Sequence, residues 1–139
     1  MSLVISSHSP DAVSRAVSVL DAGGLVGLPT ETVYGLAARA DLDDAVASIF
    51  RAKGRPTGHP LILHISDISE LDRYVVNVPT AAVTLAQHCW PGPLTLLLHK
   101  TKVVSHLVTG GRNTVAIRVP ANDCARQIIN LCGQALAAP

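Results

Sequence analysis

Aromatic side chains are scarce in this sequence: Tyr34, Phe50, Tyr74 and Trp90 make up 3% of 139 residues. Too few rings are present for a base-stacking surface, which argues against a single-strand RNA reader. Cysteine is also sparse. Cys89, Cys124 and Cys132 are odd in number and have no C-x-x-C spacing, so neither a disulfide framework nor a zinc site is indicated, and buried thiols are expected. Long apolar runs are missing. The opening "MSLVISSHSPDAVSR" has no basic region followed by an apolar stretch, and nothing later reaches membrane-spanning length, so the expected location is cytoplasmic, with no membrane partner. Also lacking are G-x-S-x-G, H-E-x-x-H, the P-loop spacing, a dinucleotide fingerprint and any cluster of carboxylates able to hold a metal by itself. Finally, residues 73–122 contain no acid, although Arg73, Lys100, Lys102, Arg112 and Arg118 lie there. Residues 1–72 carry nine of the ten acids against five cations, so one positive face is expected unless the fold interleaves the two halves.

What the chain does contain is 48% hydrophobic residues, mainly Val, Leu, Ile and Ala, enough for one sizeable core and a single domain over residues 1–139. Ser9-Pro10-Asp11 opens a helix whose apolar positions Val13, Ala16, Val17 and Leu20 run to Gly23-Gly24. "LVGLP" reads as a short buried strand and "TETVYGLAARA" as a connection, after which Asp41 caps a second helix with the stripe Leu42, Ala45, Val46, Ile49 and Phe50. "PLILHI" is a strand, a third helical segment runs from Ser66 through Tyr74, and a fourth runs from Pro79 to "WPGP". "LTLLLHK" and "NTVAIRVP" are strands, "NDCARQIINLCG" is a helix stopped by Gly133, and "ALAA" opens a final strand. Strands alternating with helices at short spacing predict an α/β protein: a largely buried sheet flanked by helices in three layers.

The stretch "RAKGRPTGHPL" gathers Arg51, Lys53 and Arg55 and then breaks the chain with Pro56, Gly58 and Pro60. It reads as a loop that presents charge. Lys53 and Arg55 around Gly54 suit a polyphosphate, with a solvated loop as the alternative. "PTETVYGL" offers Thr30, Glu31, Thr32 and Tyr34 just past a strand, where open α/β sheets place ligands; an ordinary capped turn is the alternative. His64 lies in an apolar strand, where a lone histidine is more often a satisfied core residue than a ligand. Arg118 is harder to dismiss. An arginine within "TVAIRVP" is costly to bury unless paired or set at an anion pocket. Such a set of cations and hydroxyls suits positioning and neutralising phosphate rather than supplying a nucleophile.

"GLVGLPTETVYGLAARA", "IFRAKGRPTGHPLILHI", "WPGPLTLLL" and "NTVAIRVP", in this order from about Gly23 onward, closely resemble the YrdC-like threonylcarbamoyl-adenylate synthase family. The resemblance implies a YrdC-like fold with a twisted mixed sheet. It also implies a nucleotidyltransferase that joins L-threonine, bicarbonate and ATP into threonylcarbamoyl-adenylate and pyrophosphate, for threonylcarbamoyladenosine modification of tRNA. Residue by residue, it implies that Thr32, His64, Arg118 and Ala138 hold threonine, with Arg118 on the carboxylate. Lys53, Arg55, His59 and Thr114 would face ATP, with Lys53, Arg55 and Arg118 as the catalytic cations; family members often carry Asn at the position of His59. Mg²⁺ would ride on the ATP phosphates without a dedicated protein site, and weak tRNA or double-stranded RNA contact and other tRNA-modification proteins are implied as partners. The family continues past "AAP" with a serine and an asparagine on the nucleotide, absent here. The chain is therefore expected to be an incomplete domain, with an uncovered sheet edge at its last strand and little or no synthesis of its own. Two alternatives stay open: a non-catalytic RNA-binding module of translation, and a related carbamoyl-transfer domain.

Overall fold

The computed structural model describes residues 4–29, 34–54 and 56–139, with Tyr34 described by its backbone alone. Helix α1 (Ala12–Asp21) buries Val17 and Leu20 as its apolar spacing requires, and the chain turns out of it through Gly23 at φ 83°. Strands β1 (Val26–Pro29) and β2 (Tyr34–Arg39) pair antiparallel, Val26 opposite Ala37 and Leu28 opposite Gly35. Most of the expected connection "TETVYGLAARA" is therefore a strand. Its Gly and Ala content masks it in sequence, yet Ala37 and Ala38 are fully buried on opposite faces, where only small side chains fit between sheet and helices.

Helix α2 (Asp43–Lys53) buries Ala45, Val46, Ile49 and Phe50. Its N-cap is Leu42, not Asp41, because the Asp41 carboxylate is held by Arg39, Nη2 to Oδ2 at 2.6 Å. The helix also runs further than the cationic loop suggested. Arg51 and Lys53 occupy its last turn, where cations complement the helix dipole, and Gly54 at φ 60° ends it.

Strand β3 (Ile62–His64) is followed by a 3₁₀ turn (Ile68–Glu70) capped by Asp67, then α3 (Leu71–Tyr74) and β4 (Val75–Val76). Helix α4 (Thr80–Cys89), β5 (Leu96–Lys100), α5 (His106–Thr109), β6 (Thr114–Arg118), α6 (Asp123–Cys132) and β7 (Leu136–Ala138) complete the order. At two and four residues, β4 and α5 are too short for periodicity to reveal. Cys89 is exposed, and Cys124 and Cys132 are half-buried, so the expectation of buried thiols fails at the first.

The sheet runs β1-β2-β7-β3-β6-β5-β4. Only β3 and β6 are parallel; every other pair is antiparallel, giving the expected mixed α/β sheet. Strand β7 is not an edge. It is inserted between β2 and β3, with Leu136 opposite both Arg39 and His64, so the expectation of an uncovered edge at the last strand is overturned. One face packs Ala38, Leu63, Ile117 and Ala137 against α2, α3 and α4. On the other, Leu28, Ala37, Leu136 and Ala138 meet Val17 and Leu20 of α1 and Ala125, Ile128 and Ile129 of α6. The result is three layers. Among the described residues, no helix is long and apolar enough to cross a membrane.

Candidate active site

Helices α1 and α6 cover β1, β2 and β7 but stop short of the other half of the same face. Direct cross-strand partners point to one side of a sheet, so the register defines what stands there. Ile62 is opposite Ala116 and Ala138; His64 is opposite Arg118 and Leu136. Leu97 is opposite Ala116 and His99 is opposite Thr114. Leu97 is 69% exposed and His99 is exposed, so no helix shields this end. Thr114 and Arg118 lie four positions apart on one strand, about 13 Å at 3.3 Å per residue. Small side chains at Ala116 and Ala138 keep the floor between them low.

At the buried end, Arg118 is 6% exposed and His64 is 3% exposed. The guanidinium of Arg118 donates from Nη2 to the Gly92 carbonyl at 3.3 Å, and burial lowers its pKa. His64 has its Nδ1 3.1 Å from the Ile62 carbonyl, and the Leu136 carbonyl also faces the ring. Desolvation outweighs both carbonyls and drops its pKa to about 4 from the ordinary 6.5, so the imidazole is neutral at physiological pH. It thus has the satisfied environment of a core histidine while sharing a face and a register row with Arg118.

At the open end, the segment after α2 docks on the turn after α5. The Leu61 amide donates to the Val108 carbonyl at 2.7 Å, and Arg112 reaches the Gly58 carbonyl at 3.5 Å and the Thr109 carbonyl at 3.4 Å. Gly110, at φ 63°, lies so close to Gly58 that a Cβ there would stand 2.5 Å from the Gly58 oxygen. This contact ties the segment after α2 to the turn that leads into β6. Lys53 and His59 are both exposed. Thr32 and Arg55 lie outside the described residues, as do Thr30 and Glu31.

Of the residues singled out in sequence, the fold thus groups His64, Arg118, Ala138 and Thr114 on one sheet face, and places Lys53 in the last turn of α2 and His59 on the segment that docks against α5 and its following turn. Arg112 and Gly92 were not singled out. Arg112 had a signal, being one of five cations in the acid-free segment; Gly92 had only its place in "WPGP".

The Sua5/YciO/YrdC family model, described as telomere recombination, matches residues 18–139. A threonylcarbamoyl-AMP synthase of Pyrococcus abyssi is 48% identical over 124 residues, covering 89% of this chain and 36% of the relative. One of Bacillus subtilis is 45% identical over 136 residues, covering 97% of this chain and 39% of the relative. In solved structures, Sua5 of P. abyssi complexed with L-threonine superposes with a TM-score of 0.89 at 46% identity, over 91% of this chain and 37% of that one. YciO of E. coli gives 0.81 at 30% identity, over 91% and 62%. The chain therefore spans well under half the length of the two curated relatives it matches here. Matched from the latter part of α1 through the interior strand β7, and sharing the three-layer mixed sheet, the chain belongs to the Sua5/YciO/YrdC family.

Proposed function

We propose that this chain carries the threonylcarbamoyl-adenylate synthase chemistry of tRNA modification: L-threonine, bicarbonate and ATP enter, and threonylcarbamoyl-AMP and pyrophosphate leave. The observation that carries this reading is the half-open sheet face on which Arg118, His64, Ala138 and Thr114 converge, in a chain whose relatives bear the synthase name. In this reading Arg118 meets the threonine carboxylate and His64 and Thr32 border the amino acid. Lys53, Arg55, His59 and Thr114 face ATP.

The reaction needs no enzyme nucleophile. The threonine amine attacks the carbon of CO₂ derived from bicarbonate, losing a proton and forming a carbamate. A carbamate oxygen then attacks the α-phosphorus in line, and the bond to the bridging oxygen breaks with pyrophosphate as leaving group. The chain's residues act by holding the two reactants together and offsetting charge; well-oriented reactants can gain roughly 7–11 kcal/mol. The donors described on this face are a guanidinium, two imidazoles and a hydroxyl, with no carboxylate among them, a set that offers magnesium little. Mg²⁺ would accordingly be held by phosphate oxygens and water, where it shields the charge of the leaving pyrophosphate.

The test is pyrophosphate release by the purified 139-residue chain, omitting each substrate in turn. Release that requires L-threonine, bicarbonate and ATP together supports the reading. Release indifferent to threonine, or no binding of threonine in calorimetry, overturns it.

One observation favours an accompanying RNA contact. The acid-free segment forms β4, α4, β5, α5 and β6, and three of its cations, Lys100, Lys102 and Arg112, stand at the end of β5 and on the turns beside it, whereas Arg73 lies in α3 and Arg118 is buried. A cytoplasmic tRNA partner would bind there with an affinity that falls steeply with salt.

A further inference from the structure

Arg118 ends β6, and the segment beside it is the loop after α4. Gly92 touches the arginine's surroundings twice. Its N–H donates to the Val119 carbonyl at 2.8 Å, and its own carbonyl accepts from Arg118 Nη2 at 3.3 Å. On the opposite side, the Ile65 amide donates to the Arg118 carbonyl at 3.0 Å, so the main chain that bears this side chain is gripped by β3 and by the loop together. The loop is itself closed by Trp90, whose Nε1–H donates to the Leu94 carbonyl at 2.7 Å from a nearly buried ring. Position 92 has no room for a side chain: a Cβ there would collide with the carbonyl of Cys89 at the end of α4.

These contacts do something that packing alone does not. An arginine side chain has many rotamers, and a guanidinium with five donors in a rigid plane recognises a carboxylate only when that plane is aimed. The Gly92 carbonyl, held in place by the loop, takes one of those donors and restricts the plane. We propose that Gly92 is a positioning residue for Arg118: its carbonyl helps aim the guanidinium at the α-carboxylate of the amino-acid substrate, and the absence of a side chain at position 92 is what lets that carbonyl stand there. This rests on the reading that Arg118 meets the threonine carboxylate. It assigns to "WPGP" a role in substrate discrimination and not only in chain reversal.

The experiment compares L-threonine with 1-amino-2-propanol, the same molecule without its carboxylate, by calorimetry on the 139-residue chain and its variants. The parent is expected to prefer threonine; equal affinities in the parent would overturn the Arg118 assignment itself, before Gly92 is considered. In Gly92→Ala, threonine affinity should fall about tenfold, the loss typical of a charge-assisted contact, while the amine should stay within about twofold, so the preference collapses. A parallel fall for both ligands marks a purely structural role and overturns the proposal. So does an unchanged preference. Should Gly92→Ala fail to fold, Trp90→Phe decides: it removes the Leu94 bond that closes the loop without placing an atom against Cys89. The same selective loss of threonine in that variant supports the proposal, and an unchanged ratio overturns it.

Discussion

Two buried polar residues on neighbouring strands, His64 and Arg118, show how much one position can carry. His64 is stabilised in its neutral form, so between about pH 4 and its ordinary 6.5 the unfolded chain binds a proton that the folded one does not. Stability therefore falls as pH is lowered through that window, by roughly 3 kcal/mol when the descent is complete. Urea denaturation at pH 7, 6 and 5 should record the loss, and His64→Gln should flatten it; an equal slope in that variant would remove His64 as the cause. In the proposed role at the threonine carboxylate, the planar shape of Arg118 should matter more than its charge alone. Arg118→Lys keeps a cation but loses the planar fork, and threonine affinity measured by calorimetry should drop about tenfold or more while the urea midpoint changes little. Arg55→Ala is expected to weaken ATP binding to a similar degree with threonine binding retained, and nucleotide titration checks it.

At the scale of elements, the meeting of the segment after α2 with the turn after α5 is made by two backbones that nearly touch. Gly110 combines a left-handed φ of 63° with a position that would force a Cβ to 2.5 Å from the Gly58 oxygen. Gly110→Ala should thus cost about 1–3 kcal/mol through strain and displacement, visible as a lower thermal midpoint. Because the displaced segment carries His59 and starts directly after Lys53 at the end of α2, ATP affinity should weaken as well; a variant that loses stability with unaltered nucleotide binding would separate this docking from the site. The same junction explains why "RAKGRP" misleads when read as one loop. Arg51 and Lys53 belong to α2, since helix dipole and αL glycine together favour one more turn, and the proline that ends regular structure comes only at Pro56.

For the whole molecule, the last strand sits inside the sheet and links its two parts. Leu136 is fully buried against α1 and α6, and its strand joins the β1-β2 hairpin to the remaining sheet. Leu136→Ala should cost about 2–5 kcal/mol in urea denaturation, as large-to-small changes in packed cores do. A loss below about 1 kcal/mol would mean that β7 is held only loosely. Closing the sheet through β7 also sets the site, because His64 is flanked by β6 on one side and by β7 on the other.

The sequence by itself determined the long helices, the strands "LVGLP", "PLILHI", "LTLLLHK" and "NTVAIRVP", the three-layer α/β class, and Arg118 as an anion-binding candidate, because each follows from periodicity, capping residues or a charge misplaced in an apolar run. Its ordered motifs also carried the family. Only the tertiary structure decided that "YGLAAR" is a strand, that β7 lies inside the sheet, and that Gly92 holds Arg118. Each of these depends on what packs against a residue from elsewhere in the chain: two helical layers pressing on Ala37 and Ala38, two strands enclosing Leu136, and one carbonyl, 26 residues earlier in sequence, set against a guanidinium. No local pattern encodes a neighbour supplied by the fold.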